Sequence, residues 1–216
     1  MKSTSQANLV AETIATYDRT ADVYAAGTVD EVRKTRPMAE WFIERLGGKK
    51  VIEIGCGPGY DAKHFSEHGL ALTAIDLSAG FVAMAAKRAP KARVLKMDMR
   101  HLKFPPHGFD GIWAMASFLH VPKLEGEKTL RGFKRVLKPG GLLFISVKIG
   151  QGEKVISKKR YGGGVRNHGG IKFFAYYSER GFKQLLKRCG FTILKTAITK
   201  NRYEDPFINV FAKKDL

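Results

Sequence analysis

The stretch Val51-Ile52-Glu53-Ile54-Gly55-Cys56-Gly57-Pro58-Gly59, followed at a distance by Ile75-Asp76, decides the reading of this chain. A short apolar run ends in glycines at alternate positions. A helical segment from about Tyr60 to His68 follows, and a second apolar run ends in an acid. Glycine lets a ligand approach the backbone closely and tolerates positive φ. The helix behind the loop points its free N–H groups at whatever sits there. Asp76, at the end of the next apolar run, is placed to accept hydrogen bonds from ribose hydroxyls. The arrangement describes a pocket for a nucleoside-bearing cofactor. A dinucleotide fingerprint needs a third glycine where this chain has Tyr60, which is too large for close helix packing. Glu53, just ahead of the loop, would repel a diphosphate but suits a cationic or amine-bearing ligand.

Working outward, apolar runs at 51–54, 71–75, 92–97, 109–114 and 141–147 are strand-length and continuously hydrophobic, as in strands buried on both faces. Between them Phe81, Met84 and Ala85, and then Leu130, Phe133 and Leu137, recur at helical spacing. Strands alternating with helices predict a parallel sheet with right-handed crossovers. Pro139-Gly140-Gly141 is expected to stop one helix and turn the chain into a strand. Phe182, Leu185 and Leu186 predict a further helix, Phe191 to Ile198 a strand, and Phe207 to Ala212 a last strand.

The string Glu53-x-Gly55-x-Gly57-x-Gly59 resembles the signature loop of class I S-adenosylmethionine-dependent methyltransferases, in particular the small single-domain type 11 and type 25 proteins. Four further blocks match in order. Ala71 to Ser78 resembles the second strand, whose acid, here Asp76 beside Leu77, holds the ribose. Ala92 to Met99 resembles the third, whose acid, here Asp98, binds the adenine amino group. Phe109 to Ala114 resembles the fourth strand, with Ser117 to Val121 in the position that borders the methyl group. Leu130 to Gly141 and the apolar run after it resemble the helix, turn and fifth strand. The resemblance covers about residues 12 to 213. It implies a Rossmann-like doubly wound α/β sheet of seven strands, mostly parallel with the last antiparallel beside the fifth. An N-terminal helical cap is also implied, with S-adenosylmethionine as cofactor, S-adenosylhomocysteine as product and no metal. The expected organisation is a single domain over 1–216, with a cap at 1–46, a cofactor-binding half at 47–148 and a substrate-side half at 149–216. The cofactor-binding set it implies is Tyr17, Glu53, Gly55, Cys56, Gly57, Gly59, Asp76, Leu77, Asp98, Met99 and Ala114.

Tyr17-Asp18-Arg19-Thr20-Ala21-Asp22-Val23-Tyr24 resembles the cap of many small-molecule methyltransferases, where Tyr17 or Tyr24 would face the sulfonium or substrate. Packing within an amphipathic cap helix is the alternative for both. His120, after the fourth strand, is the candidate to orient or deprotonate a nucleophile, with Tyr24 the second catalytic candidate. Cys56 is read as packing, because the loop needs a small side chain there. Arg33 and Arg36 are within reach of a methionine carboxylate, though an exposed helix face accounts for them equally simply. His64 and His68 stand four apart on one helix, a spacing that can bind a metal. No third ligand accompanies them in the sequence, so they are read as an exposed face.

The chain of 216 residues carries a net charge of +18, unevenly spread. Residues 111–216 hold 22 Lys/Arg against 7 Asp/Glu. The densest part, Lys148 to Lys172, interleaves bases with glycines and has Tyr161, Phe173, Phe174, Tyr176 and Tyr177 as neighbours. Lys158, Lys159, Arg160 and Tyr176 are the candidate contacts to a substrate or anion. Such a segment can track a phosphate backbone, clamp a small acidic substrate or touch an anionic surface. There is no Asn/Asp-Pro-Pro-Tyr string and no Pro-Cys pair, the signatures of base-modifying enzymes. A small-molecule substrate, an acidic one included, is therefore the first expectation. RNA or protein methylation is the second, a non-catalytic cofactor-binding module the third, and a nicotinamide oxidoreductase a distant fourth. Two cysteines exclude a disulfide scaffold and fit a reducing cytoplasm. The absence of a long apolar stretch predicts neither a signal peptide nor a membrane span. The acceptor atom and the oligomeric state are not encoded in any of these features.

Overall fold

The computed structural model describes residues 6–157, 170–201 and 203–215. Two helices, α1 (Gln6–Arg19) and α2 (Ala21–Glu44), precede the sheet. The chain then alternates through β1 (Lys50–Ile54), α3 (Tyr60–Glu67), β2 (Ala71–Asp76), α4 (Ala79–Arg88), β3 (Arg93–Lys96), β4 (Phe109–Ala114), α5 (Lys123–Val136) and β5 (Leu137–Lys148). A hairpin of β6 (Glu153–Ser157) and β7 (Ile171–Ala175) follows, then α6 (Glu179–Arg188), β8 (Phe191–Lys200) and β9 (Pro206–Lys214).

The seven-stranded sheet has the order β3-β2-β1-β4-β5-β9-β8. All its strands are parallel except β9, which runs antiparallel to both β5 and β8. This is the Rossmann-like sheet expected from the sequence, with the last strand inserted beside the fifth. The continuous apolar runs follow from its position. Val51, Ile52 and Ile54 of β1 and Ile112, Trp113 and Ala114 of β4 are fully buried, because helices cover both faces. One core, on the side of α5 and α6, includes Ile54, Phe118, Phe133, Ile145, Tyr177 and Phe182. The other lies beneath α2, α3 and α4 around Phe42, Phe65, Trp113 and Phe144, with Trp113 stacked on Phe144 at 3.8 Å. No described helix is long and apolar enough to cross a membrane.

One local expectation needs correction. Pro139-Gly140-Gly141 does not separate helix from strand, since α5 ends at Val136 and β5 already begins at Leu137. The three residues form an irregularity inside β5, where pairing jumps from Phe109↔Leu137 to Gly111↔Leu142 and Gly140 takes φ of 70°. Phe173 and Phe174, aromatic neighbours of the basic segment, belong to β7 and are paired with Val155 and Lys154.

The topology places the site. Order reverses between β1 and β4, with β2 and β3 on one side and β5 on the other. A crevice therefore opens at the carboxyl ends of those two strands. Helix α1 is fastened over it. The Thr13 hydroxyl accepts the Phe173 N–H at 2.9 Å, and the Thr16 hydroxyl donates to the Ile171 carbonyl at 2.9 Å. Asp18 accepts from the Ser78 hydroxyl at 2.5 Å and from the Gly80 N–H at 3.1 Å.

Candidate functional site

The glycine loop leaves β1 at the crevice. Gly55 and Gly59 sit at φ of 72° and 82°, and each is also sterically obligatory. An added Cβ would lie 2.4 Å from Ser117 Cβ at the first and 2.6 Å from Ala85 Cα at the second. Gly57 differs: at φ of 51° its missing Cβ would meet only open space. Asp76 Oδ2 accepts the Gly57 N–H and Oδ1 the Ser78 N–H, both at 2.9 Å. The carboxylate thus already accepts from backbone N–H groups and borders the cleft. Glu53 lines the same cavity, is 3 % exposed, and its Oε2 has no hydrogen-bond partner among the described residues. Burial, with the neighbouring Asp61 and Asp76 adding to it and Arg36 opposing, holds the Glu53 carboxyl well above its ordinary range. Burial also raises Asp61, which accepts the Trp113 indole N–H at 2.9 Å and pairs with Arg36 at 3.3 Å. Asp76 is raised for the same first reason, against its backbone hydrogen bonds. Two buried acids, Glu53 and Asp61, thus line this cavity and the half-buried Asp76 lines the adjoining cleft, an environment complementary to a cationic ligand.

The cap closes the other wall. Tyr17, Tyr24 and Phe81 form a mutually packed trio with ring centroids 5.3 to 5.5 Å apart. The Tyr17 hydroxyl lies 2.9 Å from His120 Nε2, and His120 Nδ1 lies 2.7 Å from the Phe173 carbonyl oxygen. A carbonyl only accepts, so Nδ1 carries the proton and Nε2 accepts from Tyr17. Burial lowers the His120 imidazole to about 4, with Lys172 and Lys148 adding to the effect and the Phe173 hydrogen bond opposing it. Lys172 Nζ stands 3.9 Å over the Tyr17 ring and 5.2 Å over that of Tyr24. Burial first, and Lys148 second, lower it to about 8. Among the described residues no carboxylate lies within ion-pair distance of Lys172. Lys148 is paired with Asp205 at 2.8 Å. Tyr17, Tyr24, Ala116, His120, Lys148, Lys172 and Phe174 border one continuous recess. Ala116, at φ of 48°, borders this recess, the glycine-loop cavity and the cleft toward Asp98 alike. A non-glycine residue in that conformation is strained and often marks a working part of a site.

The model of the methyltransferase domain family matches residues 52–145. The chain is 37% identical over 102 residues to the S-adenosyl-L-methionine-dependent Diels-Alderase iccD of Talaromyces variabilis, covering 44% of this chain and 34% of that one. It is 28% identical over 130 residues to the demethylmenaquinone methyltransferase of Renibacterium salmoninarum, covering 60% and 53% respectively. Among solved structures it superposes on the Burkholderia thailandensis 1,6-didemethyltoxoflavin-N1-methyltransferase with a TM-score of 0.77. That alignment covers 100% of this chain and 93% of the other at 19% identity. The chain has the fold of the class I methyltransferases. It spans between about a third and a half of the length of the two curated relatives named.

Within the methyltransferase domain and its flanks, the structure brings together most of the residues singled out in the sequence. Glu53, Gly55, Cys56 and Gly57 line one cavity; Asp76, Leu77, Asp98 and Met99 line the adjoining cleft with Tyr17 and Tyr24. Gly59 shapes the loop from behind, against Ala85. Burial, with Glu53 and Asp76 adding to it, raises the Cys56 thiol well above its ordinary value, in keeping with a packing role. Asp98 is not a free acceptor: burial raises its carboxyl, but bonds from the Arg100 side chain and N–H outweigh this and hold it low. Ala114 is a correction. It is fully buried as the last residue of β4, and the cleft is lined instead by Met115, Ala116 and Ser117. Tyr176 is another: it packs on Gly150 and under Lys154 and does not line the recess, where Lys172 and Phe174 stand instead. Arg36 is not on an exposed face, being tied to Asp61 and the Tyr60 carbonyl. Lys158, Lys159 and Arg160 lie outside the described residues. Lys172 and Ala116 carry no motif, and both were missed.

Proposed function

We propose that this chain is an S-adenosylmethionine-dependent methyltransferase whose acceptor is a small, anionic, aromatic or enolic molecule. The observation that carries the cofactor assignment is the buried, unpartnered Glu53 oxygen beside the open space at Gly57. In this reading Glu53 holds the methionine ammonium, Asp76 accepts from the ribose diol, and the Met97–Met99 wall receives the adenine. When bound, the cofactor supplies an electrophilic methyl on a sulfonium. The protein's own part is alignment and exclusion of water. Calorimetry with S-adenosylhomocysteine tests this part: wild type should bind, and Asp76→Asn should bind about 10- to 100-fold more weakly, the worth of hydrogen bonds to a charged group. Equal affinity would remove Asp76 from the role.

The substrate reading rests on Lys172. An aromatic-walled recess whose half-buried cation has no carboxylate partner among the described residues suits an anionic planar ligand better than a neutral one. His120, held near 4 and already accepting from Tyr17, does not act as a free base in this scheme; it orients the Tyr17 hydroxyl, whose oxygen then faces the acceptor. A phenolate or enolate bound beside Lys172 needs no general base. The demethylmenaquinone and didemethyltoxoflavin named for two similar proteins are small molecules, which accords with this choice. Methyl transfer into a panel of acidic aromatic compounds, compared with their neutral analogues, is the experiment. Preference for neutral analogues would contradict the assignment.

A further inference from the structure

At the end of α3 remote from the glycine loop, Glu40 of α2 meets His64 and His68. Their ligating atoms all lie within 4.8 Å of one another. Glu40 Oε1 is 2.7 Å from His64 Nε2, and Glu40 Oε2 is 3.6 Å from His68 Nε2. The His64 contact is close but is not aligned as an N–H···O bond, and that buried nitrogen has no hydrogen-bond partner among the described residues. His68 Nδ1 lies 2.8 Å from the His64 carbonyl oxygen. Since the carbonyl only accepts, Nδ1 carries the proton and the Nε2 lone pair of the neutral ring faces the carboxylate. Such a pair is held together by a cation between the two groups, a proton or a metal ion.

We propose that Glu40, His64 and His68 form a binding site for a borderline divalent cation of the zinc type, separate from the cofactor cleft. Two imidazole nitrogens and one carboxylate are a recurrent three-ligand set for zinc, with water completing the shell. Ligands at bonds of about 2.0 Å around a tetrahedral ion stand roughly 3.3 Å apart. The distances of 2.7 and 3.6 Å bracket that spacing. The bond from His68 Nδ1 to a backbone carbonyl is the outer-shell contact that fixes the tautomer of a ligating histidine. Arg36, one turn before Glu40, does not repel an ion strongly, because Asp61 at 3.3 Å offsets its charge. None of the three ligands lines the cleft. The ion therefore acts as a clamp between the cap helix α2 and the cofactor-binding helix α3.

The test uses the full chain without a histidine tag, stripped by chelator and titrated with zinc by calorimetry and with cobalt(II) by visible absorption. One zinc per chain is expected, with cobalt d–d bands of a nitrogen and oxygen ligand set. Glu40→Gln and His68→Ala should each weaken binding at least about tenfold. His68 is 38% exposed in its side chain, so its truncation leaves the fold intact. Zinc should raise the melting temperature of wild type and not of either variant. Absence of binding to wild type overturns the proposal. So does unchanged affinity in either variant, which would put the metal elsewhere, for instance on the cysteines.

Discussion

Glu53 is where local physical chemistry and function meet most directly. A buried carboxylate beside two other acids is unfavourable in the ligand-free protein, and its raised pKa records this. The folded state then binds more protons than the unfolded chain, so the stability contributed at low pH is lost as pH rises from about 4.3 through the raised folded value. Glu53→Gln should therefore melt above wild type at pH 7, with the difference vanishing near pH 4, while its affinity for S-adenosylhomocysteine falls. Melting curves across pH check the first half and calorimetry the second; a variant that melts lower at pH 7 would contradict the electrostatic account. The same reasoning applies to Lys172, with the opposite consequence for function. Its ammonium is lost as pH rises through about 8, so transfer to an anionic acceptor should decline there. Lys172→Arg should remove that limb from the pH–rate profile, since guanidinium stays charged. A limb that persists in the variant would assign it to another group.

At the scale of elements, the cap is held by a few identifiable bonds. Thr13 and Thr16 tie α1 to β7 through backbone groups, and Tyr17 reaches His120 in the short helical turn after β4. Thr13→Val should leave the buried Phe173 N–H unsatisfied and cost about 1 to 3 kcal/mol locally. Its expected signature is faster hydrogen exchange in α1 and a raised KM, with the sheet unaffected; uniform loosening of the sheet would show that the cap is not a separate unit. The contrast between what was and was not readable in the sequence follows the same divide. Strands β1, β2, β4 and β5 and the glycine loop announce themselves because burial on both faces imposes apolar runs and close backbone approach imposes glycine, whereas the edge strand β3, Arg93–Lys96, buries none of its residues. The β6–β7 hairpin is partly solvated and brings no such run. Ala116 and not Ala114 borders the cleft because the last residue of β4 is still buried in the sheet, and the positive-φ turn after it leaves no trace in composition. Lys172 was one base among many until the fold set it, half-buried, against the Tyr17 and Tyr24 rings. Glu40 is 24 residues from His64 in sequence, and only the packing of α2 on α3 brings it to the two histidines.

For the whole molecule, the excess of positive charge after β4 is the property that competes with the small-molecule reading. Twenty-two bases against seven acids over residues 111–216 would drive salt-sensitive association with a polyanion if that surface served one. The recess beside the cap offers a more specific use for two of those bases, Lys148 and Lys172, within enclosed aromatic walls. The most direct test is transfer of labelled methyl from S-adenosylmethionine into a fractionated cell extract, with and without ribonuclease, by wild type and by Asp76→Asn. We expect label in the small-molecule fraction, unaffected by ribonuclease and sharply reduced in the variant. Label in a ribonuclease-sensitive macromolecule, or no transfer by a protein that binds the cofactor, would contradict the account.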